Sequence, residues 1–99
     1  MTTWPSGKPS GGSVYKVDLG RNARKDLDKL QGPIFERVVA TLRGLAQNPR
    51  PFGYEPVEGS AGGFRVREGD YRILYQIDDE AQVVAVLRIR HRREAYRRF

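Results

Sequence analysis

Residues 64–77 constrain the fold most strongly, because two runs rich in β-branched and aromatic residues flank the dipeptide Gly69-Asp70. Two turn residues between such runs are typical of a β-hairpin, and glycine at the first turn position favours a type II′ turn. This turn pairs Glu68 with Tyr71, which fixes the register of both strands. Since side chains alternate along a strand, one face of the hairpin is predicted to be apolar and the other basic.

The apolar face of the hairpin is predicted to belong to the core. It comprises Phe64, Val66, Tyr71, Ile73, Tyr75 and Ile77, and the opposite face carries Arg65, Arg67, Arg72 and Gln76. Guanidinium groups that share a face repel one another unless an anionic group lies between them. The pattern therefore favours an anionic partner for this second face.

A third strand is predicted after a three-residue loop, residues 79–81, because a two-residue loop would bury Gln82 and Arg88. This register adds Val83, Ala85, Leu87 and Ile89 to the core face, and Arg88, Arg90 and Arg92 to the arginine face. Leu74, Val84 and Val86 would then form an apolar floor inside a basic rim on the arginine face. A central strand covered in part on both sides has this character.

The rest of the chain predicts a strand and two helices ahead of the hairpin. Residues 1–13 are rich in Gly, Ser, Pro and Thr and are predicted to be a disordered tail, followed by one domain over residues 14–99. A short strand at residues 14–19 precedes helices at residues 20–30 and 33–47, which form a helical hairpin broken at Gly32-Pro33. Residues 50–63 are predicted to be a loop, and a short helix lies near residues 92–98. The predicted fold class is α+β: an antiparallel sheet of about four strands packed on an N-terminal helical hairpin, with a short C-terminal helix.

The positive charge is concentrated at the end of the chain. Net charge is +6 over 99 residues, and residues 88–99 hold six arginines against one glutamate. Such a cluster predicts a polyanionic partner, the alternative being a solvated tail that keeps the protein soluble. The absence of cysteine excludes disulfides and thiolate metal sites, and no apolar run approaches the roughly 20 residues of a membrane helix. Because the N-terminus also lacks the apolar core of a signal peptide, we expect a cytoplasmic protein that does not engage a membrane.

The side chains available for chemistry are arginine, tyrosine, one histidine and carboxylates. The sequence contains no Gly-rich phosphate loop before a helix, no Cys/His metal set and no Ser-His-Asp arrangement, so neither a metal site nor a cofactor is predicted. This inventory suits RNA cleavage, in which the ribose 2′-OH is the nucleophile and the protein orients it, stabilises a phosphorane and protonates the leaving oxygen. Arginine matches phosphate but stays protonated, so the general base would be a tyrosine, a histidine or a carboxylate.

Segments of the C-terminal third resemble the signature of RelE-type toxins in the RelE/ParE superfamily. They read Phe64-Arg65-Val66-Arg67, Asp70-Tyr71-Arg72-Ile73-Leu74-Tyr75 and His91-Arg92-Arg93-Glu94-Ala95-Tyr96. The resemblance covers residues 14–99 and implies the RelE-like microbial RNase fold. It implies a toxin of a type II toxin–antitoxin pair that binds the ribosomal A site and cleaves mRNA there, leaving a cyclic phosphate. The implied partners are a cognate antitoxin, the ribosome with its mRNA, and operator DNA through the antitoxin only.

The resemblance also implies roles for individual residues. Arg65 and Arg67 match basic residues that hold phosphates and assist proton transfer, although arginine replaces the lysines of some members. Arg72 matches the arginine that stabilises the transition state, Arg92 the one associated with protonation of the leaving group, and Tyr96 the tyrosine that orients or stacks on the substrate. The general base stays open among Glu55, which matches a glutamate used by one branch, His91 and Tyr96. Contacts to RNA or the ribosome are predicted for Lys16, Arg88, Arg90, Arg93, Arg97 and Arg98.

Two other functions fit the same segments. A ParE-type toxin shares the fold but poisons DNA gyrase and cleaves no RNA, and a non-catalytic RNA-binding module would use the same basic face. Ribosome-dependent cleavage of mRNA separates the first interpretation from both of these, and inhibition of supercoiling identifies the second.

Overall fold

A computed structural model describes residues 14–57 and 63–95, which form a five-stranded sheet with helices packed on one face. The elements are β1 (Lys16–Leu19), α1 (Arg21–Asp28), α2 (Pro33–Gln47), β2 (Glu55–Pro56), β3 (Gly63–Glu68), β4 (Tyr71–Asp78), β5 (Val83–His91) and α3 (Arg92–Ala95). The predicted N-terminal tail, residues 1–13, lies outside the described residues. Within the described residues, no helix has the length and the apolar character needed to cross a membrane.

The strand order is β1-β5-β4-β3-β2, which corrects the predicted antiparallel sheet of about four strands. Strands β3, β4 and β5 form the expected antiparallel meander, but β1 pairs with β5 in parallel. The additional strand is β2, whose two residues pair with β3 inside the segment that was predicted to be a loop. A two-residue strand that contains a proline carries no alternating pattern, so the sequence does not reveal it.

The first hairpin has the predicted turn and register. Gly69 has φ +60°, as the first central position of a type II′ turn requires, and Glu68 pairs with Tyr71. Arg67 accordingly lies opposite Arg72, and Arg65 lies opposite Leu74. The basic side chains of β3 and β4 therefore share the sheet face that points away from the helices.

The register predicted for the second hairpin is wrong along its whole length, although the faces predicted for the end of β5 are right. The loop has four residues, 79–82, with Gln82 at φ 57°, so Asp78 pairs with Val83. Val84 and Val86 then face the helices and are completely buried. A β-bulge at Leu87 adds one residue to β5 and reverses the alternation, so that Ile89 is in the core while Arg88 and Arg90 lie on the opposite face as predicted. The apolar floor of that opposite face is consequently built from Leu74 with the half-buried Val83 and Ala85.

The helices bury the predicted stripes against the sheet. Ala23 and Leu27 of α1 and Val38, Leu42, Leu45 and Ala46 of α2 are buried. Each fully buried leucine or valine contributes roughly 1.5–3 kcal/mol relative to an exposed one. Gly32, at φ +73°, and Pro33 separate the two helices at the predicted position. Since α1 lies mainly along β5 and α2 against β1 and β3, the helices pack on the sheet as a layer.

Asp26 of α1 caps the edge of β5 where β1 no longer pairs with it. Strand β1 pairs with β5 only as far as Val86, and beyond this point the Asp26 carboxylate accepts the Ile89 backbone N–H at 2.9 Å. The same carboxylate accepts Nε of Arg88 at 2.9 Å and Nη2 at 3.2 Å. One buried acid therefore satisfies an edge amide and holds the arginine beside it.

Candidate active site

Three arginines and one glutamate line a cleft on the sheet face opposite the helices. The cleft has a volume of about 200 Å³ and is bounded by Gly53, Glu55, Arg65, Arg67 and Arg72. Strands β2, β3 and β4 supply its charged groups. The three basic residues that were expected from the alternation of the first hairpin are thus brought together.

Glu55 and Arg65 form the wall of the cleft at the β2 edge. They are direct cross-strand partners, and the guanidinium donates to Oε1 of Glu55 from Nε at 3.1 Å and from Nη2 at 2.9 Å. Glu55 is exposed and Arg65 is partly exposed, and pairs open to solvent contribute only about 0–1 kcal/mol to stability. Its main consequence is orientation, because two bonds fix the carboxylate against the neighbouring strand.

Arg72 forms the floor of the cleft and is the most deeply placed of the three arginines. It has a relative exposure of 6%, and its Nη1 donates to the carbonyl of Tyr71 at 3.2 Å and lies 3.5 Å from the carbonyl of Gly69. The guanidinium is therefore held against the hairpin turn of its own strand. A buried cation that is held in this way costs little reorganisation when negative charge develops next to it.

A row of arginines crosses the sheet at this level. Arg67 pairs with Arg72, and Arg72 pairs with Arg90, so the row (Arg67, Arg72 and Arg90) spans β3, β4 and β5. Like charges on directly opposed residues raise the local positive potential. The row extends the positive face beyond the cleft toward β5.

His91 lies on the other side of the sheet. It pairs with Tyr71, and the two rings meet edge to face with their centroids 5.4 Å apart. Its Nδ1 accepts the backbone N–H of Arg93 at 3.3 Å. Tyr71 packs against the core, so His91 is directed away from the lining of the cleft.

The remaining predicted residues occupy different places. Arg92 and Arg93 are exposed at the start of α3, where the Arg92 backbone N–H donates to the Asp70 carbonyl at 2.6 Å. Lys16 lies on β1, at the far edge of the sheet, 3.7 Å from Asp18, and Arg88 is bound to Asp26. Tyr96, Arg97 and Arg98 lie outside the described residues, so their roles stay predictions.

Two anchors hold the segment that leads from α2 into the cleft. The buried Tyr75 hydroxyl donates to the Pro49 carbonyl at 2.8 Å, and burial raises the pKa of this phenol to about 12. Arg50 donates to both carboxylate oxygens of Asp79, at 3.2 and 2.8 Å, and the Tyr15 hydroxyl donates to the same group at 2.6 Å. The hydrogen bonds from Arg50, which has the larger effect, and from Tyr15 lower the pKa of Asp79 to about 2.

Sequence analysis did not single out Gly53, which lines the cleft from the turn before β2. Its φ of +91° identifies it as a turn glycine, and a Pro-x-Gly pattern within a loop was the available signal. As for metal ligands, residues 14–57 and 63–95 contain no group of three or more histidine, aspartate or glutamate side chains that could hold an ion.

Comparison with known proteins agrees with this geometry. Residues 17–96 match the model of the family described as ParE toxin of type II toxin–antitoxin system. Toxin RelG of Mycobacterium tuberculosis is 42% identical over 85 residues, covering 85% of this chain and 98% of the relative. Toxin RelE of the same organism is 34% identical over 85 residues, covering 84% and 87%.

Solved structures show the same fold. The RelBE2 toxin–antitoxin complex of Mycobacterium tuberculosis has a TM-score of 0.71 at 39% identity, covering 79% of this chain and 91% of that one. The archaeal RelE–RelB complex of Pyrococcus horikoshii has a TM-score of 0.70 at 26% identity, covering 80% and 96%. The chain therefore belongs to the RelE/ParE superfamily of type II toxins, as a RelE-type member. The resemblance drawn from the hairpin and the His-Arg-Arg segment is confirmed.

Proposed function

We propose that this protein is a ribosome-dependent endoribonuclease that cleaves mRNA and so inhibits translation. The observation that carries the proposal is the cleft itself, in which Glu55 is held by Arg65 beside Arg67 and Arg72. Phosphate-binding cations next to an oriented carboxylate are the groups that phosphodiester cleavage by the 2′-OH requires. The relatives named RelG and RelE support the same activity.

In the proposed reaction Glu55 accepts the proton of the ribose 2′-OH as the 2′ oxygen attacks the adjacent phosphorus. The bond from phosphorus to the 5′ oxygen then breaks, and the products are a 2′,3′-cyclic phosphate and a 5′-hydroxyl end. Arg72 stabilises the charge that develops on the phosphorane, and Arg65 and Arg67 hold the phosphate of the bound RNA in the cleft. The departing 5′ oxygen takes a proton with the assistance of Arg92, and Tyr96 orients or stacks on the substrate, in the roles that the resemblance implies for them.

Position favours Glu55 over His91 as the general base. A base must lie within hydrogen-bonding reach of the proton that it removes, and Glu55 lines the cleft whereas His91 pairs with Tyr71 on the helix side. Arginine is a poor base because it stays protonated, so the three guanidinium groups serve charge stabilisation. Arg65 acts in addition as a positioning residue for the carboxylate.

The shape of the site favours dependence on the ribosome. The cleft opens on the sheet face opposite the helices, and a free RNA strand bound there could adopt many conformations. A ribosome that presents the A-site codon in one conformation would supply the orientation that the cleft lacks. The entropic cost of orienting the reacting groups is a large part of the barrier for such reactions. We accordingly place the action of the toxin in the cytoplasm, on translating ribosomes.

A cognate antitoxin is the second proposed partner. The complexes of RelE-type toxins with RelB antitoxins support such a pair. The arginine row and the apolar floor of Leu74, Val83 and Ala85 suit a segment that combines carboxylates with apolar side chains. Contact with operator DNA is expected through the antitoxin only.

The test of the nuclease is in vitro translation followed by mapping of mRNA 5′ ends. Message on ribosomes should be cut within the A-site codon, and the same message free in solution should stay mostly intact. Equal cleavage of free RNA at stoichiometric amounts of protein contradicts ribosome dependence. Intact message on ribosomes contradicts the nuclease proposal.

The family description favours one other function, poisoning of DNA gyrase by a ParE-type toxin. Inhibition of gyrase-catalysed supercoiling by the purified protein, without mRNA cleavage, would identify that activity. Two relatives with more than 30% identity are named RelG and RelE, which is why we place the nuclease first.

A further inference from the structure

Phe52, one residue before the cleft-lining Gly53, presents a whole phenyl ring to solvent. Its relative exposure is 104%, whereas Phe35 and Leu87, two other large apolar residues of the described part, are 37% and 38% exposed. A single exposed apolar residue is common on protein surfaces. The position of Phe52 is unusual for such a residue, because the next residue, Gly53, lines the cleft.

A tight turn holds Phe52 in this position. The Tyr54 backbone N–H donates to the Pro51 carbonyl at 3.0 Å, and Gly53 has φ +91°. A hydrogen bond of this kind with positive φ at the third residue defines a type II β-turn, in which Phe52 is the second residue. The ring is therefore carried at the tip of a turn.

The turn is anchored on both sides. Before it, the Pro49 carbonyl accepts the Tyr75 hydroxyl and Arg50 binds Asp79. After it, the Tyr54 ring packs on Phe64 with centroids 5.5 Å apart. The position of Phe52 relative to the cleft is consequently set by the sheet.

We propose that Phe52 stacks on a nucleobase of the RNA strand bound in the cleft, next to the phosphate that is cleaved. The inference deepens the proposed nuclease function and rests on it. Surfaces that bind single-stranded RNA combine cations along the backbone with exposed aromatic rings on which bases stack. Arg65, Arg67 and Arg72 supply the first part and Phe52 the second.

The experiment measures single-turnover cleavage on ribosomes with a defined A-site codon, as a function of protein concentration. The variants are F52A, F52L and F52W, and F35A is the control for an exposed phenylalanine of α2 that is remote from the cleft. Stacking is formed with substrate and transition state alike, so its loss should raise the half-saturating concentration more than it lowers the maximal rate. We expect a rise of roughly 5- to 150-fold for F52A and F52L, the range of one base–aromatic stack. F52W and F35A should behave as the wild type.

A second part of the experiment identifies the nucleobase on which Phe52 stacks. A message with one abasic ribonucleotide keeps the 2′-OH and the phosphate but has no ring to stack. At the stacked position, the abasic substitution should weaken the wild type and leave F52A unchanged, whereas at other positions it should affect both proteins equally. This coupling separates stacking from a change in the fold of the turn.

The outcomes are distinct. Wild-type cleavage that F52A and F52L retain in full overturns the inference and leaves the nuclease proposal intact. The inference also fails if F52L matches the wild type, since a branched aliphatic side chain does not stack, or if F52A loses only antitoxin binding. A wild-type protein that leaves ribosome-bound message intact overturns the nuclease proposal and this inference with it.

Discussion

Arg67 and Arg72 are direct cross-strand partners, yet Arg67 is exposed whereas Arg72 is buried to a relative exposure of 6%. The two guanidinium groups therefore differ in freedom although they line the same cleft. The guanidinium of Arg72 is held against the carbonyl of Tyr71, whereas that of Arg67 lies at the surface. We infer a division of roles: Arg72 stabilises the transition state, and Arg67 contributes to binding.

This division predicts different defects for R72A and R67A. R72A should lower the single-turnover rate roughly 10²–10³-fold, the cost of one donor to a developing oxyanion, with little change in ribosome binding. R67A should weaken binding and change the maximal rate less. The measurement is cleavage at saturating protein together with ribosome pelleting, and a near-normal rate for R72A would count against the assignment.

E55Q should remove the general base while keeping an amide of the same shape beside Arg65. A loss of roughly 10²–10⁴-fold in rate is expected for a residue in this role. If E55Q retains the rate while H91Q loses it, proton transfer belongs to the histidine.

R90Q should make ribosome binding less sensitive to salt. Arg90 is paired with Arg72 in the row, so we expect it to contact one phosphate. The slope of log affinity against log salt should become shallower by about 0.7, the value for one contact to a single strand. Lys25, exposed on α1, provides the control, and an equal change in K25Q would mean that the effect is only one of net charge.

D26N should destabilise the fold although Asp26 does not line the cleft. The change removes the charge that accepts two bonds from Arg88 and weakens the bond to the Ile89 N–H, which costs roughly 1–3 kcal/mol for a buried acceptor. Urea unfolding measures the loss. D28N is the matched control on the same helix, since Asp28 is exposed, and it should stay within about 0.5 kcal/mol of the wild type.

Tyr75 predicts a loss of stability at high pH. Its folded-state pKa of about 12 lies above the ordinary value of 10.0, so the folded state retains the proton more strongly than the unfolded chain. The contribution is complete below pH 10 and is lost as the pH rises toward 12. Y75F should cost about 1 kcal/mol at neutral pH through the lost bond to Pro49, and it should remove the part of the alkaline dependence that belongs to this phenol. Unfolding of Y75F and wild type with the same alkaline dependence would contradict this assignment.

The sequence predicted the first hairpin correctly because local chemistry fixes it. Gly69 permits the positive φ of the turn, and the apolar residues on each side alternate in phase with it. The same alternation placed Arg65, Arg67 and Arg72 on one face, and the cleft brings them together. Where the turn residues and the alternation of apolar residues agree, the sequence is sufficient to predict the register of a hairpin.

The second hairpin depended on features that no pattern reveals. Gln82 adopts φ 57° without being a glycine, and this made the loop one residue longer than predicted. The resulting register would have buried Arg88, and the bulge at Leu87 prevents it. Strand β1 was expected, but its parallel pairing with β5 arises from packing across the whole chain. For the same reason, the approach of Glu55 to Arg65 requires the two-residue strand β2, which the sequence does not indicate.

The bulge at Leu87 changes which residues of β5 face the helices. Before it the even-numbered residues of β5 are inward, and after it the odd-numbered residues are, so that Val84 and Val86 serve the core while Arg88 and Arg90 serve the opposite face. Deleting this single residue would remove the bulge and restore a regular alternation, which keeps Ile89 in the core and leaves Arg88 and Arg90 on the opposite face. Position 87 thus belongs to neither alternation, and many apolar or polar side chains could stand there because Leu87 is largely outside the core.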